Sequence, residues 1–133
     1  MPAELFVDTS AWYAIARRNA PAVEVAFQKR LRSRTRFVTT NLVVAETQIL
    51  LLRRAGRTAA LTFLREIRRA PTVIVHSAAD IEERAMRDWI ERFDDQPFSF
   101  TDAVSFAVMT EYRIREALTL DHHFAIAGFV MVP

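Results

Sequence analysis

The stretch Leu5-Phe6-Val7-Asp8-Thr9-Ser10 sets the grammar of the chain: three apolar residues, an acid, then hydroxyl residues that open a helical pattern carrying Trp12, Ile15 and Ala16. A short apolar run reads as a strand, and apolar residues at 3.6-residue spacing read as a helix. The acid thus stands where a strand gives way to a helix. The pattern recurs. Pro21 suits the first turn of a second helix over residues 22–31, followed by a strand at Phe37-Val38. Thr40 or Asn41 can cap a long helix to about Leu52 with Gly56 at its stop, and Thr58 can cap another to about Arg69, before Pro71. Val73-Ile74-Val75 reads as a third strand. The pattern predicts further helices over residues 79–93 and 101–112, joined by a polar loop through residues 94–97. It closes with strand, helix and strand at residues 117–120, 122–127 and 129–132. Strands alternating with helices predict an α/β fold with a short, mainly parallel central sheet flanked by helices.

The bulk properties narrow the function classes. A chain of 133 residues is expected to be one domain over residues 1–133. With 51% hydrophobic residues, 26% charged and only two Gly, it belongs with globular rather than disordered sequences. The absence of Cys excludes disulfides and thiolate metal sites. No run is long enough to span a bilayer and Met1 to Val7 lacks a basic segment followed by a long apolar run, so a cytoplasmic location without membrane contact is expected. The net charge of +2 hides a polarity: residues 1–70 carry 13 Lys or Arg against 5 acids, and residues 71–133 carry 5 against 11. All the basic residues but Lys29 are Arg. Arg30, Arg32, Arg34 and Arg36, with Arg53, Arg54, Arg57, Arg65, Arg68 and Arg69, are either a surface that follows phosphates or solvated helix faces.

Four acids are the candidates for chemistry. Asp8 and Asp121 can each cap a helix, yet both follow strands, where ligands of open α/β sheets bind. Glu46 shares a predicted helix face with Leu42, Ala45 and Ile49, and a desolvated carboxylate needs an Arg or a bound cation beside it. Asp102 falls in a first helical turn, where the helix dipole favours an acid, and Phe106 and Met109 follow at helical spacing. Asp94, Asp95, Glu82, Glu83, Asp88 and Glu91 read as solvated surface. If Asp8, Glu46, Asp102 and Asp121 converge, their repulsion demands a counter-ion, and an all-oxygen set suits Mg²⁺ or Mn²⁺. Such an ion activates water and a phosphodiester. His122 and His123, an adjacent pair without metal-motif spacing, read as structural or surface residues, and Phe98 and Phe100 as core.

Together, Leu5-Phe6-Val7-Asp8-Thr9-Ser10, Thr39-Thr40-Asn41-Leu42 leading to Glu46-Thr47, Phe98-Ser99-Phe100-Thr101-Asp102-Ala103 and Leu118-Thr119-Leu120-Asp121-His122-His123-Phe124 before Ala127-Gly128-Phe129 resemble the PIN-domain ribonucleases. The likeness is strongest to the small VapC-type toxins of VapBC toxin–antitoxin pairs, and it runs end to end. It implies a PIN-like three-layer sandwich and a Mg²⁺- or Mn²⁺-dependent endoribonuclease that inhibits translation. Asp8, Glu46, Asp102 and Asp121 would be its metal ligands, direct or through water. Thr9 and Thr101 would orient carboxylates or bound water, unless they merely cap helices. The resemblance further implies an RNA substrate, a homodimer and a VapB-like antitoxin lying over the active-site groove. The other readings are a catalytically silent RNA-binding module, a protein-interaction domain with structural acids, and a housekeeping nuclease without an antitoxin.

Overall fold

In the computed structural model, which describes residues 3–69 and 71–133, the strands are β1 (Glu4–Val7), β2 (Arg36–Thr40), β3 (Thr72–Val75), β4 (Glu116–Leu118) and β5 (Val130–Val132). They form one sheet, parallel throughout, in the order β3-β2-β1-β4-β5. Its flanking helices are α1 (Thr9–Arg17), α2 (Pro21–Arg32), α3 (Asn41–Ala55), α4 (Arg57–Glu66), α5 (Ala79–Ala85), α6 (Phe100–Tyr112) and α7 (His123–Ile126). None of the described helices is long and apolar enough to cross a membrane.

β1 lies in the middle of the sheet, and its Leu5, Phe6 and Val7 are fully buried, which is why this run is apolar without alternation. The chain proceeds from β1 outward to β2 and β3 on one side, then returns to β4 and β5 on the other. The strand order therefore reverses between β1 and β4. A crevice opens outside the carboxyl ends of parallel strands at such a reversal, because the connections on either side leave in opposite directions. α6 is buried continuously from Asp102 to Met109, and Phe106 and Phe124 meet edge-on at 5.0 Å. The aromatic core thereby anchors both α6 and α7.

Local chemistry explains most element boundaries. Asp8 and Thr40 cap α1 and α3 with their side chains, and Gly56, at φ 96°, ends α3 and begins α4. Thr58 is not the α4 cap that the sequence predicts: the helix starts one residue before it and ends at Glu66. The helix expected over residues 79–93 is α-helical only to Ala85, then turns π-helical over Met86–Glu91. That wider turn carries Trp89, which stacks on Phe93 at 5.3 Å and meets Phe106 at 5.1 Å. β4 ends at Leu118, short of the predicted Leu120, because the Leu120 and Asp121 amides donate to Ser10 Oγ and Thr119 Oγ1 instead of to a neighbouring strand. Phe98 is buried as expected. Phe100, at the exposed start of α6, is 40% exposed and is not core.

Candidate active site

The reversal point is occupied by polar side chains. The Asp8 N–H donates to Leu118 O at 3.1 Å, continuing the β1–β4 ladder by one bond. Beyond it, Asp8 Oδ2 accepts from Thr119 Oγ1 at 3.0 Å and from Ser10 Oγ at 3.1 Å. The two hydroxyls are themselves 3.2 Å apart. Asp8 is 3% exposed, and burial pushes its carboxyl up to about 6. Hydrogen bonds from the Thr9 backbone, Thr119 and Ser10 oppose that shift, whereas the nearby charge of Asp102 adds to it. Asp8 and Asp102 therefore repel one another across the crevice.

Asp102 is presented by the start of α6. Ser99 Oγ accepts from the Asp102 N–H at 3.0 Å, and Asp102 Oδ2 accepts from the Ser99 N–H at 3.3 Å, a reciprocal capping box that fixes the carboxylate. Asp121 is held on the other side by the turn into α7, where its Oδ1 accepts from the His123 N–H at 2.9 Å. The His123 Nδ1 then lies 3.1 Å from Asp102 Oδ2 and 3.7 Å from Asp121 Oδ1. Asp102, Asp121 and His123 each bring one donor atom to within 4.8 Å of the other two, a group able to hold a metal ion.

Of the expected acids, Asp8, Asp102 and Asp121 thus gather at one end of β1 and β4. Glu46 is not one of the three residues whose donor atoms lie within 4.8 Å of one another. It is half-buried on α3, but the buried stripe of that helix is Val43, Val44, Thr47 and Leu51, while Ala45 and Ile49 are exposed. Leu42, the third apolar residue of the face ascribed to Glu46, is partly buried against the core, so that face lies at the edge of the core and Glu46 is only partly desolvated. Thr9 and Thr101 do not supply the side-chain caps of their helices, since Asp8 and Ser99 do. Thr9 is 5% exposed, and its Oγ1 has no hydrogen-bond partner among the described residues. Thr101 is half-buried in the first turn of α6.

His123, Thr119, Ser10 and Ser99 belong to the site without having been singled out for it. Ser99 was legible, because Ser-x-x-Asp before an apolar helix is a capping signature. Thr119 was not, being 111 residues from the Asp8 it bonds. The donor set fits a divalent cation: buried carboxylates that repel one another, an orphaned hydroxyl beside Asp8, and no competing Lys or Arg ion-paired to Asp8, Asp102 or Asp121 among the described residues.

The arginine candidates divide. Arg30, Arg36 and Arg69 pair with Glu116, Glu4 and Glu66, whereas Arg32, Arg34, Arg53, Arg54, Arg57, Arg65 and Arg68 form no ion pair among the described residues. An apolar groove of about 590 Å³ lies between α1, α2 and α4, walled by Trp12, Ile15, Phe27, Leu31 and Phe63. Its lining reaches Phe37 and Thr72, near the starts of β2 and β3, and includes none of Asp8, Glu46, Asp102 and Asp121.

The family model of the PIN domain matches residues 5–130. The chain is 44% identical to a protein of Mycobacterium tuberculosis named 23S rRNA-specific endonuclease VapC20, over 96% of this chain and 97% of that one. It is 31% identical to the ribonuclease VapC26 of the same organism, over 91% and 90%. The crystal structure of VapC20, described as a sarcin-ricin loop cleaving toxin, superposes with a TM-score of 0.83 at 36% identity over 95% of this chain and 96% of that one. VapBC2 of Rickettsia felis, bound to a promoter DNA fragment, shares the fold with a TM-score of 0.73 at 11% identity, over 96% of each chain.

Proposed function

The chain belongs to the PIN-domain family and is a ribonuclease of the VapC type; from that premise we propose that it cuts RNA phosphodiesters at Asp8, Asp102 and Asp121. Mg²⁺ or Mn²⁺ is the ion held there, with Glu46 completing the acidic set and residues 1–133 acting as one domain. The observation that carries this reading is the tie between strands: Thr119, after β4, bonds Asp8, after β1, while Asp102 and Asp121 converge beside them.

Each side chain then has a defined task. Ser10 and Thr119 hold the Asp8 carboxylate, the capping box aims Asp102, and the His123 amide orients Asp121. When bound, a divalent ion supplies the charge that balances these acids and the electrostatic activation of water and phosphodiester that in-line hydrolysis needs. The candidate arginines without an ion pair among the described residues supply attraction to the RNA backbone.

The names of the 44% identical relative and its structure support large-subunit ribosomal RNA, in a stem-loop, as the substrate, and hence inhibition of translation in the cytoplasm. Purified protein should make one cut in that RNA with Mn²⁺ or Mg²⁺, and none with EDTA or after Asp102→Asn. Intact ribosomal RNA alongside cleavage of other RNAs would overturn the substrate, and metal-independent cleavage would overturn the site.

A VapB-like antitoxin is the proposed partner. The apolar groove between α1, α2 and α4 suits an apolar helix of that antitoxin, a seat apart from the active-site groove that the resemblance implies, and Arg18 among its lining residues suits an acid on that helix. Ile49 and Leu52, each more than 40% exposed on α3, support pairing of two copies. Light scattering of the protein, alone and co-expressed with an antitoxin, should give twice the chain mass and then a heavier complex; a monomer that ignores the antitoxin contradicts both assignments.

A further inference from the structure

Resting on that metal-dependent reading, we propose that His123 is itself a ligand of the ion, through Nδ1, and that this nitrogen makes the site prefer Mn²⁺ to Mg²⁺. The acids at this site are the part of it legible from the sequence; the imidazole is an addition made by the fold.

Distance supports coordination. Neighbouring donors around an octahedral ion with bonds of about 2.1 Å stand about 3 Å apart. Nδ1 is 3.1 Å from Asp102 Oδ2 and 3.7 Å from Asp121 Oδ1, so one ion reaches all three with small adjustments. Two carboxylate oxygens converging on one ring nitrogen also need positive charge between them, which an ion provides more fully than a hydrogen bond does.

The ring is held for the purpose. It meets Phe98 edge-on, with centroids 5.3 Å apart and planes at 76°. Its backbone N–H is committed to Asp121, and the next residue, Phe124, is fully buried against Phe6 and Phe106. Little side-chain freedom is left to lose on binding an ion. The side chain nevertheless keeps 28% of its surface exposed, so an ion arriving from solvent can reach it.

The donor chemistry sets the preference. Mg²⁺ takes hard oxygen ligands and sheds water reluctantly, whereas first-row transition ions accept imidazole readily. A site of oxygens alone would discriminate less between the two ions than one with a fixed imidazole arm. His122, adjacent and exposed, is the internal control.

Pulsed EPR of the full-length protein loaded with Mn²⁺ tests this directly, because a coordinated imidazole imprints ¹⁴N modulation on the Mn²⁺ echo. We expect that modulation in the wild type and in His122→Gln, and its loss in His123→Gln. Calorimetry should show Mn²⁺ affinity falling about ten- to a hundredfold in His123→Gln, with a smaller change for Mg²⁺. Mn²⁺ bound without ¹⁴N modulation in the wild type overturns the ligand assignment and leaves the carboxylate site standing. His123 would then be only a positioning partner of Asp102. No Mn²⁺ binding at all overturns both this inference and the metal site on which it rests.

Discussion

Burial of Asp8 has a thermodynamic consequence. Its carboxyl titrates near 6 in the folded protein against 3.8 for the unperturbed group, so between those values the folded state keeps a proton that the unfolded chain has lost. Stability of the metal-free protein therefore falls as pH rises through this window and levels off above it. The full effect is up to about 3 kcal/mol. Asn in place of Asp8 can still accept from Ser10 and Thr119 but carries no charge. In EDTA, Asp8→Asn should match the wild type near pH 3.5 and exceed it above pH 6 in urea unfolding, while cleaving no RNA. A variant less stable than the wild type at pH 7.5 would show that the buried charge is compensated elsewhere. Glu46 teaches the opposite lesson. Of its predicted apolar neighbours Leu42 packs on the core while Ala45 and Ile49 are exposed, because helical spacing identifies which residues share a face without saying how deeply that face is buried.

α6 couples stability to site geometry through its first turn. Ser99 satisfies the Asp102 amide and receives the reach-back bond from the Asp102 carboxylate, so one residue both starts the helix and aims the acid. Ser99→Ala should cost about 1 kcal/mol in thermal or urea unfolding. It should also lower cleavage, since Asp102 loses the residue that seats it; unimpaired activity at that stability cost would separate capping from chemistry. The predicted elements match the observed ones in order and, apart from the π-helical turn at Met86–Glu91, in type, because runs, spacings and caps are decided within a few residues. Their ends shift where a distant group takes over the hydrogen bonds. β4 stops at Leu118 because Ser10, over a hundred residues earlier, receives the Leu120 amide. The π-helical turn at Met86–Glu91 likewise accompanies aromatic packing that no local pattern displays.

Taken as a whole, the molecule gathers like charges at one end of its sheet, and a bound ion should relieve that strain. Mn²⁺ at a hundred times its dissociation constant should stabilise the fold by about 2.7 kcal/mol, and EDTA should reverse the gain. The gain should shrink near pH 5, where Asp8 holds its proton more often. A melting temperature indifferent to Mn²⁺ at pH 7.5 would argue against an ion among these acids.

The alternation of strand and helix, the α/β class and the placing of Asp8, Asp102 and Asp121 at element ends were all legible in the amino-acid order, since each depends on contacts within a turn or two. The strand order β3-β2-β1-β4-β5 was not. It arises from which strands find partners across long loops, and it alone brings Thr119 to Asp8 and seats His123 between Asp102 and Asp121. The chain therefore names its acids locally, and long-range packing chooses which of them meet and what joins them.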